Sequence, residues 1–218
     1  MGITACIVGA TGLVGTELLA LLCQDSHISH VHVMTRRALA PKLLEENPKL
    51  TAHVLDFDRM QELQWPQCDL LFSCLGTTIR IAGSQEAFRR VDFDYVVDSA
   101  RQAHHAGATS LLVVSAMGAD QHSRVFYNRV KGEMEAAVAS LGFDTVLIFR
   151  PSLISGERLQ RRFVERVFQA LLTIFNPLLP RKYRSVPARA IANCMLTTAK
   201  EAHRGTVIFE SDKLLGFA

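Results

Sequence analysis

The chain has 218 residues, 49% of them hydrophobic and 21% charged, a balance that excludes a disordered protein and suffices for a core without staples. Its net charge of +3 is spread among interleaved acidic residues, so no concentrated basic face marks a nucleic-acid binder. Five widely spaced cysteines form neither a CxxC pair nor a Cys/His cluster, which excludes a zinc site or a disulfide framework and reads as free thiols in a reducing compartment.

Residues 3–8 form a short apolar run ending in glycine, read as a buried strand, and residues 12–23 follow with helix formers. A second strand spans 31–35 and stops at Arg36 and Arg37. Residues 38–50 carry two prolines and no clean period, so loop with at most a turn of helix is expected. Strands follow at 51–55 and 69–75, then a long helix over 84–106 with apolar residues at helical spacing. A strand at 110–114, an amphipathic helix over 123–141 and a strand at 144–149 continue the alternation. Beyond Pro151 the pattern loosens: helices near 158–175 and 188–199 precede a last strand at 206–209. Strands too apolar for one wet face, alternating with helices, predict an α/β fold with a doubly wound parallel sheet. The whole chain reads as one domain, with a core over 1–150 and a small substrate-side lobe plus last strand over 151–218. No export signal opens the sequence, and the longest apolar stretch, 167–180, is too short to span a bilayer and is broken by Asn176 and Pro177. A cytoplasmic protein is expected.

Gly9-Ala10-Thr11-Gly12-Leu13-Val14-Gly15 lies between the first strand and the first helix. A tight turn without obstructing side chains lets backbone N–H groups at a helix start meet a diphosphate. Three glycines can also serve turns and packing, but their place at the first strand–helix junction favours a nucleotide. No lysine followed by Ser or Thr closes the motif, so it is not a P-loop. Arg36 and Arg37 stand about twenty residues on, where an NAD site commonly has an acidic residue. Two guanidinium groups suit a 2′-phosphate instead, so NADP(H) is favoured over NAD(H), against the plainer reading of a solvated arginine pair.

Tyr127 and Lys131 lie one helical turn apart, and Ser115 ends the strand before them. Carbonyl reduction wants this trio: a phenol donates a proton, a nearby ammonium draws the phenol towards ionisation, and a serine hydroxyl orients the carbonyl. A YxxxK pair alone carries little weight; the glycine turn and Ser115 give it meaning. Other features read as structure. His104 and His105 suit the end of a helix, Cys74 suits packing, and the arginine-rich apolar segment 158–179 suits a lobe or dimer contact more than an anionic membrane surface.

Together these residues resemble the atypical short-chain dehydrogenase/reductases, and within them the Tat-interacting-protein type of oxidoreductase and its bacterial relatives. The likeness runs through GATGLVG (9–15), TRR (35–37), CLGTT (74–78), VDFDYVVDSA (91–100), VVSAMGAD (113–120), YNRVKGEME (127–135), RPSLISGER (150–158) and YRSVPARAIA (183–192). It implies a Rossmann-type fold holding NADP(H), with Thr11, Gly12, Leu13 and Val14 along the pyrophosphate and Arg36 and Arg37 at the adenosine phosphate. Leu75 and Gly76 would pass beneath the nicotinamide ribose, Lys131 would bond that ribose, Tyr127 would be the proton donor, and Ile154 and Arg162 would close over the cofactor. An asparagine that often relays protons in the wider superfamily is replaced here by Asp92, which could relay or pair with Lys131. The expected function is NADP(H)-dependent reduction of a small-molecule carbonyl substrate. The alternatives are an NADPH-binding redox sensor or scaffold with a protein partner, and an epimerase with a tightly held nucleotide. A homo-oligomer is compatible with the sequence; nucleic acid and metal are not expected.

Overall fold

The computed structural model describes residues 2–62, 64–156 and 180–218. Seven strands form a parallel sheet in the order β3-β2-β1-β4-β5-β6-β9: β1 (Ile3–Val8), β2 (Ile28–Thr35), β3 (Leu50–Val54), β4 (Leu70–Ser73), β5 (Ser110–Val114), β6 (Thr145–Arg150) and β9 (Gly205–Glu210). The central strands are apolar on both faces because both faces are covered. On one side, Val14, Leu18, Leu19 and Leu22 of α1 (Leu13–Gln24) meet Ala5, Ile7 and Phe72, joined by Ile191 and Met195 of α7 (Ala188–Thr198). On the other, Val96, Val97, Ala100 and Ala103 of α5 (Tyr95–His105) and Met134 and Val138 of α6 (Phe126–Ala139) meet Cys6, Val8, Leu71, Leu111 and Val113. This is the doubly wound Rossmann-type architecture expected from the alternation.

Two departures from the sequence reading have physical causes. The segment 84–106 is not one uniform helix: α4 (Gln85–Arg89), capped by the Ser84 hydroxyl, passes through a π-turn at Arg90–Asp94 into α5. The turn places Asp92, fully buried, against α6, where it meets a charge that apolar periodicity cannot reveal. Residues 41–45 form the turn of helix that the 38–50 segment allowed, α2 (Pro41–Glu45), with proline at its start. Past Pro151, β7 (Ile154–Ser155) pairs in parallel with β8 (Val186–Pro187), a two-residue ladder too short to leave a sequence signal. The helix expected near 158–175 lies outside the described residues.

The chain order reverses between β1 and β4: β2 and β3 lie to one side of β1, and β4, β5, β6 and β9 to the other. A crevice at the carboxyl ends of strands β1 and β4 is the place an open α/β sheet offers to a ligand.

Candidate active site

The crevice is framed by the turn after β1 and the loop after β4. Gly9 has φ +77°, and a side chain there would put Cβ 2.5 Å from the carbonyl of Cys74, so the two loops touch backbone to backbone. The Cys74 N–H donates to the Val8 carbonyl at 2.9 Å, and the Gly12 N–H to the Gly9 carbonyl at 3.0 Å, which closes the tight turn. A Cβ on Gly15 would lie 2.1 Å from the Gly9 oxygen, so glycine lets α1 begin hard against that turn. The start of α1 has no side-chain cap and no acidic residue in its first turn. Leu13 and Val14 therefore follow a glycine cap in a first turn that no side chain caps, an arrangement that fits a nucleotide diphosphate. Thr11 is exposed on the turn.

Arg36 and Arg37 follow β2 and are both exposed, and among the described residues neither is in an ion pair. The Thr35 hydroxyl donates to the Arg37 carbonyl at 2.9 Å and fixes the turn that presents them. Ile154 in β7 packs at the edge of the core face that holds Leu13, and a Cβ on Gly156 would lie 3.1 Å from the Leu13 side chain. The segment after β6 thus folds back over the start of α1. Arg162 lies outside the described residues.

Ser115 follows β5, with its N–H donating to the Phe149 carbonyl at 2.7 Å. Its hydroxyl is buried and has no hydrogen-bond partner among the described residues, and the same holds for Ser73 at the end of β4. Sequence reading missed Ser73, because a serine inside an apolar strand is indistinguishable from a packed one. Tyr127 and Lys131 stand on α6. This helix seats against the loop after β5 because Gly132 has no side chain: a Cβ there would fall 2.2 Å from the Asp120 and Gln121 backbone. The Phe88 ring lies against Tyr127, centroids 5.4 Å apart.

Lys131 is 4% exposed and ion-paired at 2.7 Å with Asp92, itself 0% exposed. The other Asp92 oxygen accepts the Thr77 N–H at 2.8 Å. Burial opposes the charge on Lys131, but Asp92, Tyr127 and Glu135 outweigh it and hold the ammonium above the ordinary lysine range. Tyr127 departs from expectation. Burial pushes its phenol above the usual tyrosine value; Lys131 pulls it down and Asp92 pushes it back up. The ammonium therefore does not bring the phenol below its usual value, because burial, with the Asp92 carboxylate added to it, outweighs the pull of Lys131. Leu75 and Gly76 run directly past this pair, with a Cβ on Gly76 falling 3.5 Å from Asp92 and 3.9 Å from the Lys131 Nζ. Burial pushes the Cys74 thiol up to about 12, which suits packing and not nucleophilic attack.

An open cavity of about 410 Å³ is lined by Met117, Gly118, Asn128, Arg150, Lys182, Tyr183 and Glu210. Arg150 is braced there by Glu135 at 2.6 Å and Glu210 at 3.2 Å. These residues come from five stretches of sequence; most of them fall in the motifs at 113–120, 127–135, 150–158 and 183–192, but nothing in the sequence brings those motifs to one cavity. Among the described residues no group of histidine, cysteine or carboxylate side chains can hold a metal, and no helix is long and apolar enough to cross a membrane.

Residues 4–127 match the family described as semialdehyde dehydrogenase, NAD binding domain. Protein FMP52, mitochondrial, of Coccidioides immitis is 34% identical over 174 residues, covering 74% of this chain and 70% of the relative. Protein HTATIP2 of Rattus norvegicus is 37% identical over 158 residues, covering 72% of this chain and 64% of the relative. An oxidoreductase of the short-chain dehydrogenase/reductase family from Burkholderia thailandensis superposes with a TM-score of 0.73 at 16% identity, covering 98% of this chain and 93% of that one. These names overturn the expectation of a cytoplasmic protein: the FMP52 relatives are named mitochondrial. Free thiols suit any reducing compartment and could not separate the two. The match over more than half the chain, the FMP52 and HTATIP2 relatives and the shared architecture place this chain among the atypical short-chain dehydrogenase/reductases, with an NAD(P)-binding Rossmann-type fold.

Proposed function

We propose that the protein is an NADP(H)-dependent reductase of a small-molecule carbonyl, with Tyr127 as proton donor. The observation that carries the reading is the buried set of Tyr127, Lys131 and Asp92 beside the Leu75–Gly76 backbone at the switch point of the sheet. The open start of α1 would bind a diphosphate, and Arg36 and Arg37 would grip a 2′-phosphate through forked, charge-assisted hydrogen bonds. When bound, the reduced nicotinamide supplies a hydride to the carbonyl carbon. Tyr127 gives its phenolic proton to the carbonyl oxygen, so the products are an alcohol, oxidised nucleotide and a phenolate that solvent reprotonates. The unpartnered Ser115 hydroxyl would donate to the same oxygen and orient it. Lys131, held charged by Asp92, would bond the ribose.

Tyr127→Phe tests the reading, with nucleotide affinity and turnover measured separately after a carbonyl screen. Affinity should stay within about threefold, whereas turnover should fall about 10²- to 10⁴-fold, the range of a lost general acid. Unchanged turnover removes Tyr127 as the donor.

A further inference from the structure

An interior ion pair often stabilises no more than apolar packing would, so stability is weak ground for the Asp92–Lys131 pair. Its geometry is specific. Asp92 comes from the π-turn, a local irregularity that swings its side chain towards α6. One carboxylate oxygen meets Lys131 at 2.7 Å and the other holds the Thr77 N–H at 2.8 Å. The carboxylate thus ties the loop after β4 to the lysine that stands one turn from Tyr127. We propose that Asp92 is a positioning residue that serves as counter-ion to Lys131 and so keeps the Tyr127 phenol protonated until a bound carbonyl takes the proton.

The charges facing Tyr127 are few. Lys131 lies on its own helix and Asp92 on the π-turn; α4 contributes the Phe88 ring, while its neighbour Arg89 pairs with Glu133. Glu135, a turn beyond Lys131, is committed to Arg150. A lone ammonium beside a buried phenol stabilises the phenolate. A carboxylate at contact distance turns that charge into a dipole, whose field at the phenol is weaker. Burial is the larger cause of the raised phenol; the Asp92 charge adds to it against the pull of Lys131, which itself stays charged. A phenol that stays protonated is a proton donor for reduction, whereas oxidation of an alcohol needs the phenolate as base. Asp92 thereby helps to hold the ligand-free site in the proton-donating form. The inference rests on Tyr127 as donor, but its test needs neither cofactor nor substrate.

The chain has three tyrosines, few enough for a single-tyrosine difference in phenolate absorbance to be read. Burial and Asp58 push Tyr95 up to about 12. Ligand-free protein is read within milliseconds of a pH jump, before alkaline unfolding, and the Tyr127→Phe trace is subtracted. In Asp92→Asn, whose amide oxygen still accepts the Thr77 N–H, the Tyr127 midpoint should fall by about one pH unit or more, the size of an unmasked neighbouring charge. An unchanged or higher midpoint overturns the proposal. Should that variant fold poorly, the double change Asp92→Leu with Lys131→Met replaces the pair by apolar groups of similar size. Its midpoint should stay within about one unit of the parent, since both influences leave together; a rise of about two units or more would mean that Lys131 acts on Tyr127 uncompensated. A Tyr127→Phe protein with full turnover defeats the reductase reading yet leaves these titration results standing, so the two failures are separable.

Discussion

Arg36 and Arg37 show what two adjacent residues can decide. Both guanidinium groups are exposed at the end of β2, on the same side of the sheet reversal as the glycine turn. A hydrogen bond to a charged group is worth about 1.5–3 kcal/mol, or roughly 10- to 100-fold in affinity. Replacing both by alanine should therefore weaken NADPH binding by about that factor while leaving NADH within about threefold, as measured by fluorescence titration. Equal losses for the two nucleotides would show that the arginines do not read the 2′-phosphate. At this scale the sequence was informative wherever a residue type fits one chemistry, as with the glycines and the Tyr127–Lys131 spacing. It was uninformative for Ser73, Thr77 and Lys182, whose surroundings are assembled from other strands and loops.

Among the elements, α6 carries the most. Its placement depends on Gly132, where a Cβ would collide with the Asp120 and Gln121 backbone at 2.2 Å, with no flexible side chain to give way. Gly132→Ala gains helix propensity but must push α6 off the loop after β5. Overpacking of this kind costs about 1–3 kcal/mol, against under 1 kcal/mol gained by the alanine. The thermal midpoint should drop, and nucleotide affinity should drop with it because Lys131 moves. A stabilised variant with unchanged affinity would mean that the loop can retreat freely. The same scale holds the clearest failure of periodicity. Residues 84–106 show continuous helical spacing, yet the helix widens at Arg90–Asp94 to bring Asp92 to its partner on α6. Hydrophobic spacing records which face is buried, not how a buried charge finds its counter-ion.

For the whole molecule, pH exposes a second electrostatic balance, at the β2–β3 edge of the sheet. His30, His32 and His53 gather on one face of the β2–β3 edge, with His32 Nδ1 3.1 Å from His53 Nε2 and the His30 and His32 rings 4.5 Å apart. Burial, then the neighbouring imidazoles, lowers His32 from 6.5 to about 4. Its folded value lies below its unfolded one, so between about pH 6.5 and 4 the unfolded chain binds more protons and stability falls as pH falls. Above that window the penalty is absent, and below it the loss is complete. The fall in thermal midpoint from pH 7 to pH 4.5 should be larger in the parent than in His32→Gln. Equal falls would sink this account and assign acid sensitivity to other groups.

Taken by itself, the sequence determined the alternation of strands and helices, the doubly wound sheet, the glycine turn and the pairing of Tyr127 with Lys131. Each of these is local: a period of apolar residues, a backbone conformation or a one-turn spacing written within a few residues. Tertiary structure decided that β1 and β4 flank the crevice, that Lys131 is shared with Asp92, and that burial leaves the phenol harder to ionise. Those outcomes depend on desolvation and on charges brought together from tens of residues apart, and neither quantity exists until the chain has packed.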